Sequence, residues 1–500
     1  MTSAYHTASV SYSMVLQVLT TTVQSILPSN YYIHTFIAIL TIGIIRAFAQ
    51  GKKTNRERDL HARVVLVTGG FTSIGLTLLH ELATRGAHII ALTADPIESK
   101  APSRASILID LLRTTTNNEQ IFADQCDLTD PNSIHNFCTK FVMQKEKRLD
   151  AVIFAHEYQH RGSWFSPQSL EILEQQRKEA SLATFLATTL LLPALLVAPA
   201  ERDIRIINVI NPFYAASAPS FTPSLSLLST PTLAPKSIFL LEGHRALLTA
   251  VFTRHLQRVL DALPSSGQVP KTDDPSGSTV PIVSAKAQKS NIVAVSVCPG
   301  ISRTDVIAPM LGVGRSWMGA FLFVYSLFIL PRMLLTPTPS YITLQPVLRI
   351  LTKTPTSALQ SILHTLFLPT PFKAAPKSKT KDDERPIIED TTPEEILKPG
   401  ALYRECAIVR LHVPAPPEPP TSDKEEIGNQ DGIPIPIPDD GELGGEYCGR
   451  LVWESFEESL KEWERANPPP PEAPKKEEEG ARAGTPPDVD FSSPTPGASS

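Results

Sequence analysis

The sequence predicts an α/β chain, a doubly wound parallel sheet with an N-terminal membrane helix and a disordered C-terminal tail. Three observations carry this expectation. From His61 to Phe372, short β-branched runs alternate with longer helical stretches, the pattern of repeated strand-helix-strand units. From Met1 to Ile45 the chain contains no Asp, Glu, Lys or Arg. Of 46 prolines, set against only 24 glycines, most lie after Pro199, which marks long connections and an unfolded end rather than further domains. With 500 residues and 42% hydrophobic content, the chain has enough for one large core with appendages.

Taken in order, the candidate strands are Val64–Thr68, Ala87–Leu92, Gln120–Cys126, Ala151–Ala155, Ile204–Ile210 and Ile292–Val297. Helical stretches fill the gaps, notably Ile74–Arg85, Ser133–Gln144, Leu170–Leu196 and Gly243–Leu263. Two connections, 212–236 and 264–291, exceed ordinary loop length. The sheet domain is expected over 61–372, followed by a charged linker at 373–398 and an extension at 399–466. That extension holds a late strand in "ALYRECAIVRLHV" and a helix from Glu446 to Ala466, with Val452, Phe456, Leu460 and Trp463 on one face. Such a face should pack back onto the domain. Residues 467–500, proline-rich and acidic, cannot bury enough apolar surface to fold.

Residues 1–30 form an uncharged leader, and 31–50 a membrane anchor whose densest part, Tyr31–Ala49, approaches the ~20 residues needed to cross a bilayer. Its basic flank (Arg46, Lys52, Lys53, Arg56, Arg58) follows the apolar run. A cleaved signal peptide would carry that charge in front, so the segment is expected to be retained, with the main domain facing the cytosol. A helix lying in one leaflet is the alternative. A second uncharged run, Ser316–Pro331, is short for a span and is either a membrane-contact helix or an ordinary core helix. The lipid bilayer is thus the first expected partner, at the endoplasmic reticulum or a lipid-droplet surface. The formal charge of -5, with no stripe of Lys and Arg in the folded part, excludes nucleic acid as a partner. Five widely spaced cysteines without a CxxC pair read as reduced thiols. His156, His160 and Glu157 are not followed by a further ligand group at metal spacing, so no metal is expected.

"VVLVTGGFTSIG", Val64–Gly75, is a strand running into a glycine turn and then a helix, the context in which helix N-terminal amides meet a dinucleotide pyrophosphate. The turn resembles the TGxxxGxG of the short-chain dehydrogenase/reductase family, nearest to its membrane-associated, retinol-dehydrogenase-like members. "CDLTD", "TFLATTLLLPALL", "VFTRHLQRVL" and "CPGISRT" fit further family positions, over roughly His61 to Leu351. The resemblance implies a Rossmann sheet and an NAD or NADP cofactor. It puts Thr68, Gly69, Ser73, Ile74, Gly75, Thr93, Asp127, Leu128, Ala155, Pro299, Gly300 and Thr304 at cofactor-binding positions. Thr93 leaves room for a 2′-phosphate while Asp95 would oppose it, so the choice between NAD and NADP stays open.

The family's chemistry runs through a Tyr that passes a proton and a Lys four positions on that lowers the Tyr pKa. No tyrosine here is followed by Lys at that spacing; those positions carry Glu242 and Ala246. The carbonyl-binding Ser falls at Ile210 or Asn211, the NNAG stretch reads Phe154, Ala155, His156, Glu157, and the helix Asn falls near Ala180 or Ser181. Ser73 replaces the middle glycine of the turn. Replacement chemistry would have to draw on Asn211, Glu242, His244 and Arg245. Each such group is typically worth ~10²-fold or more in rate. Two functions follow: an oxidoreductase acting on a lipid-like alcohol or carbonyl with a non-standard acid, or an inactive binding or scaffold protein using its loops and acidic tail for protein partners.

Overall fold

The computed structural model describes residues 32–97, 102–143, 148–163, 170–198, 202–221, 238–262, 291–312, 345–371, 395–416 and 439–469. The leader, the Ser316–Pro331 run, most of the two long connections, most of the charged linker and the end of the tail lie outside them.

One sheet organises the chain, in the order β3-β2-β1-β4-β5-β6-β7-β8. β1 (Val64–Thr68), β2 (His88–Thr93), β3 (Ile121–Gln125), β4 (Ala151–Phe154), β5 (Ile204–Val209), β6 (Ile292–Cys298) and β7 (Leu402–Arg404) are all parallel, and β8 (Ala407–Val409) closes the edge antiparallel. Every residue of β4, β5 and β6 is buried, as a parallel sheet covered on both faces requires, and this accounts for their continuous Val and Ile runs. Side chains alternate between two cores. Leu66, Val152, Ile206 and Ala294 enter one; Val65, Val67, Ile153, Ile207 and Val295 enter the other.

α1 (Tyr32–Gln50) precedes the sheet, and its Ile33, Phe36, Ile39 and Phe48 are exposed. Among the described residues two helices are long and apolar enough to cross a membrane, Ile33–Gln50 and Glu171–Leu196. The second is mostly buried within the fold. α2 (Ser73–Thr84), α3 (Arg104–Thr116) and α7 (Pro355–Phe367) cover one face, with Leu78, Leu82, Ile109, Leu359 and Leu363 in its core. α4 (Pro131–Met143), α5 (Leu170–Leu196), α6 (Ile238–Ala262) and α8 (Gly445–Ala466) cover the other.

The expected boundary at 372 gives way here. The stretch expected as one late strand is two, β7 and β8, and both extend the same sheet. α8 is part of the same core: Val452, Phe456 and Trp463 are buried, and Leu460 packs at the rim. Phe456 meets Phe185 and Phe252 with ring centroids 5.5 and 5.8 Å apart. A Cβ at Gly449 would come within 2.6 Å of His255, so α8 lies on α6 at a distance only glycine allows.

The segment after α1 is pinned along α7. Gln50 bonds to Thr352 and Thr354, the Thr54 amide to Gln360, and Arg58 pairs with Asp203 at 3.0 Å. Asp203 also holds Arg205, whose buried guanidinium donates to the Thr365 and Leu368 carbonyls at 2.6 Å each. The apolar helix therefore has a fixed attachment to the sheet domain.

Candidate functional site

The glycine turn is built as its sequence implies. Gly69 has φ +66°, and a Cβ on Gly75 would lie 2.2 Å from the Gly69 carbonyl oxygen, so both positions require glycine. Thr72 caps α2, its Oγ1 accepting from the Gly75 amide at 3.1 Å. Asp305 is more informative. Its Oδ1 accepts from the Ser73 amide at 3.0 Å. The Ser302 hydroxyl donates to its Oδ2 at 3.3 Å, and the single Thr304 hydroxyl proton is shared between Oδ2 at 3.1 Å and Ser73 Oγ at 2.9 Å. Asp305 is buried, and burial pushes its carboxyl pKa up against the lowering effect of these hydrogen bonds. The turn thus has the backbone shape for a dinucleotide, but the Ser73 and Gly75 amides at its helix start already bond to the chain's own side chains.

The remaining cofactor positions fall along the same C-terminal edge of the sheet. Thr68 closes β1 and Thr93 closes β2; Asp127 and Leu128 follow β3, Ala155 follows β4, and Pro299 and Gly300 follow β6. Several are committed to the chain itself. Thr68 Oγ1 bonds His156 Nδ1 at 2.8 Å, Thr93 Oγ1 accepts from the Asp95 amide, and Asp127 Oδ1 accepts from Thr129. In open α/β sheets, ligands bind in the crevice beyond this edge. Here residues 156–160 enter it. Tyr158, fully buried, donates its hydroxyl to the Gly300 carbonyl at 2.7 Å, reaching from the end of β4 to the end of β6. Asn211 Nδ2 donates to the Tyr158 carbonyl at 3.3 Å, and the His160 amide to the Asp305 carbonyl at 3.0 Å.

Where the family pattern expects a proton relay, the chain has a buried ionic cluster. Glu242 is fully buried and Ala246, one turn on, is buried and apolar. Arg177 Nε donates to Glu242 Oε1 at 2.9 Å, Arg245 Nη2 pairs with Oε2 at 2.8 Å, and the Arg161 amide donates to Oε1 at 2.8 Å. His160 Nδ1 lies 3.7 Å away. Burial alone would raise the Glu242 pKa, but Arg245, His160 and Arg177 hold it below the usual carboxylate range. An ionised carboxylate has no proton to give. Next to it, Glu157 is also buried and accepts from Thr249 at 2.7 Å and from Thr184, and Arg245 donates to the Glu157 carbonyl at 2.6 Å.

The four replacement candidates therefore do not form one reacting centre. Glu242 and Arg245 are a salt bridge. Asn211 sits at a strand end, its Oδ1 accepting from the Phe213 amide at 3.1 Å as a turn does. His244 packs on Phe221 with centroids 5.1 Å apart, and burial lowers its pKa to about 4. Sequence reasoning passed over Arg177, Tyr158 and Asp305. Only Asp305 left a local signal, the Ser302-x-x-Asp305 spacing of a helix-start cap, in which Ser302 Oγ accepts from the Asp305 amide.

A pH dependence follows from these histidines. His160 and His244 are both lowered to about 4, chiefly by burial. Between the ordinary value near 6.5 and about 4, the unfolded chain binds protons that the folded chain refuses. Stability should hold above pH ~6.5 and fall as the pH drops toward 4, by up to ~1.4 kcal/mol per pH unit per histidine. Urea midpoints at pH 7 and pH 5 measure it, and replacing His244 with Phe should flatten the slope.

Residues 63–213 match the family model described as short chain dehydrogenase. An uncharacterized oxidoreductase, pbr1, from Schizosaccharomyces pombe is 24% identical over 294 residues, 59% of this chain and 71% of that protein. Human retinol dehydrogenase 12 is 34% identical over 33% of this chain and 49% of its own length. Human polyprenol dehydrogenase is 27% identical over 49% of this chain and 62% of its own length. Among solved structures, a short-chain dehydrogenase from Sphingobium yanoikuyae in complex with NADPH is 16% identical, covering 47% of this chain and 70% of that one with a TM-score of 0.32.

Proposed function

We propose, for a chain whose residues 63–213 belong to the short-chain dehydrogenase family, that it works as a membrane-held binding protein for a lipid-like molecule, without that family's Tyr–Lys proton relay. The observation that carries this reading is the Glu242 cluster. A carboxylate clamped by Arg177 and Arg245, with Ala246 at the position of the activating cation, supplies neither a proton nor a charge directed at a reacting oxygen. Membrane attachment is supported by α1, an apolar helix with exposed Ile and Phe side chains, followed directly by Lys52, Lys53, Arg56 and Arg58. The family implies NAD or NADP as the dinucleotide.

A second reading, oxidation or reduction of a lipid-like alcohol or carbonyl, is favoured by the relatives named retinol and polyprenol dehydrogenase. The two separate on hydride transfer. With retinal and a polyprenal offered in detergent micelles, the purified full-length chain should leave NADH and NADPH absorbance unchanged; substrate-dependent consumption of either would favour the second reading. Membrane attachment has its own test. Removing residues 1–48 should move the chain from the membrane pellet to the soluble fraction with its thermal transition intact, and retention in the pellet would place the attachment elsewhere.

A further inference from the structure

The start of α2 has an occupant. A helix N-terminus attracts an anion because its first amides lack intrahelical partners and the helix dipole adds partial positive charge. In the strand-turn-helix of Val64–Gly75, those amides belong to Ser73, Ile74 and Gly75. Thr72 satisfies the third and Asp305 the first, so the chain's own carboxylate stands where a pyrophosphate would be bound. Asp305 is only 2% exposed and arrives on a π-helical turn, Arg303–Ile307, capped by Ser302. It belongs to the loop after β6, 232 residues from Ser73, so this is a tertiary lock rather than a local cap. Ser73 strengthens it: in place of a glycine it supplies an Oγ that accepts from Thr304. A dinucleotide phosphate would have to displace a buried negative charge from the Ser73 amide at the helix start.

We propose that Asp305 is a built-in anion that closes the dinucleotide site, so that NAD(P)H or any phosphate-bearing ligand enters only after the Arg303–Ile307 turn moves away. The closure is independent of whether chemistry follows, because it concerns only entry of the phosphate. Removing the charge should open the site while keeping the side chain's size, and loosening its support should open it partly.

The test is equilibrium binding of NADPH and NADH to the full-length chain in detergent, read by nucleotide fluorescence and calorimetry. Asp305→Asn should bind at least one of them ten-fold or more tightly than the unaltered chain, and Ser302→Ala should shift affinity in the same direction by a smaller factor. Thermal transitions of both variants without nucleotide show that each is folded; if Asp305→Asn is not, Ser302→Ala alone decides. Equal affinity in unaltered and variant chains, including equal failure to bind, would overturn the proposal. Because the readout is binding, its failure is distinct from that of the functional reading, which hydride transfer alone decides.

Discussion

Replacing Glu242 with Ala is expected to remove about 3–5 kcal/mol of folding stability, the cost of leaving buried charge without its partner. The size follows from what would remain. Arg177 and Arg245 are both buried, each has its close carboxylate contact in Glu242, and the Arg161 amide would lose its acceptor. His160 would lose the Glu242 charge that raises its pKa, leaving burial and two guanidiniums to hold it neutral. Glu242→Gln separates charge from hydrogen bonding, since the amide oxygen can still accept from Arg161; its loss should be smaller and of the same sign. Urea unfolding of the full-length chain and both variants measures the ordering. A Glu242→Ala chain as stable as the original would mean that the cluster does not hold the helices together, and that the carboxylate is free for another role.

The second large effect is expected at Phe456. Its ring is buried against Phe185 and Phe252, at the centre of the face that α8 lays on α5 and α6. Truncation to Ala should cost about 3–5 kcal/mol, from lost transfer energy and the cavity left between three helices that cannot close over it. Polar contacts at the start of α8 limit how far the helix could follow. Arg258 donates to the Gly445 carbonyl at 2.9 Å and pairs with Asp440, and Arg254 pairs with Asp440 as well. If Phe456→Ala unfolds in the same urea range as the original chain, α8 is an appendage and not part of the core.

How far this could be read from the sequence depends on whether the relevant signal is local. β1, β2, β4, β5 and β6 were legible as Val- and Ile-rich runs and α5 by its length, while β3, at the sheet edge, was marked only by Ile121, Phe122 and Ala123. α3 was not, since "RASILIDLLRTTT" is weakly apolar, although Ser103 caps it and Asn117 ends it at φ 52°. α7 carried a helix-start signal in Thr354-Pro355 that could have been used. β7 and β8 read as one strand because their turn uses Glu405 and Cys406, both at positive φ, in place of the Asn and Gly that usually mark such a turn.

The site divides in the same way. The glycine turn and the absence of a Tyr–Lys pair are features of short stretches and were visible. What occupies those places was not. Glu242 meets Arg177 across 65 residues, Tyr158 meets Gly300 across 142, and Ser73 meets Asp305 across 232. A buried charge with two partners looks, in sequence, like a solvated helix start. Its meaning comes from burial, which composition does not report.

Under the proposed function, the reacting end of this fold is closed by its own side chains and passes no proton. Hydride transfer to an unspecified lipid tests it most directly. The full-length chain, reconstituted in nanodiscs with a total membrane lipid extract, would be given NADH and NADPH deuterated at the transferred position, and the lipids analysed by mass spectrometry. The expected result is no deuterium above a protein-free control. Protein-dependent deuterium in any lipid alcohol would contradict the account.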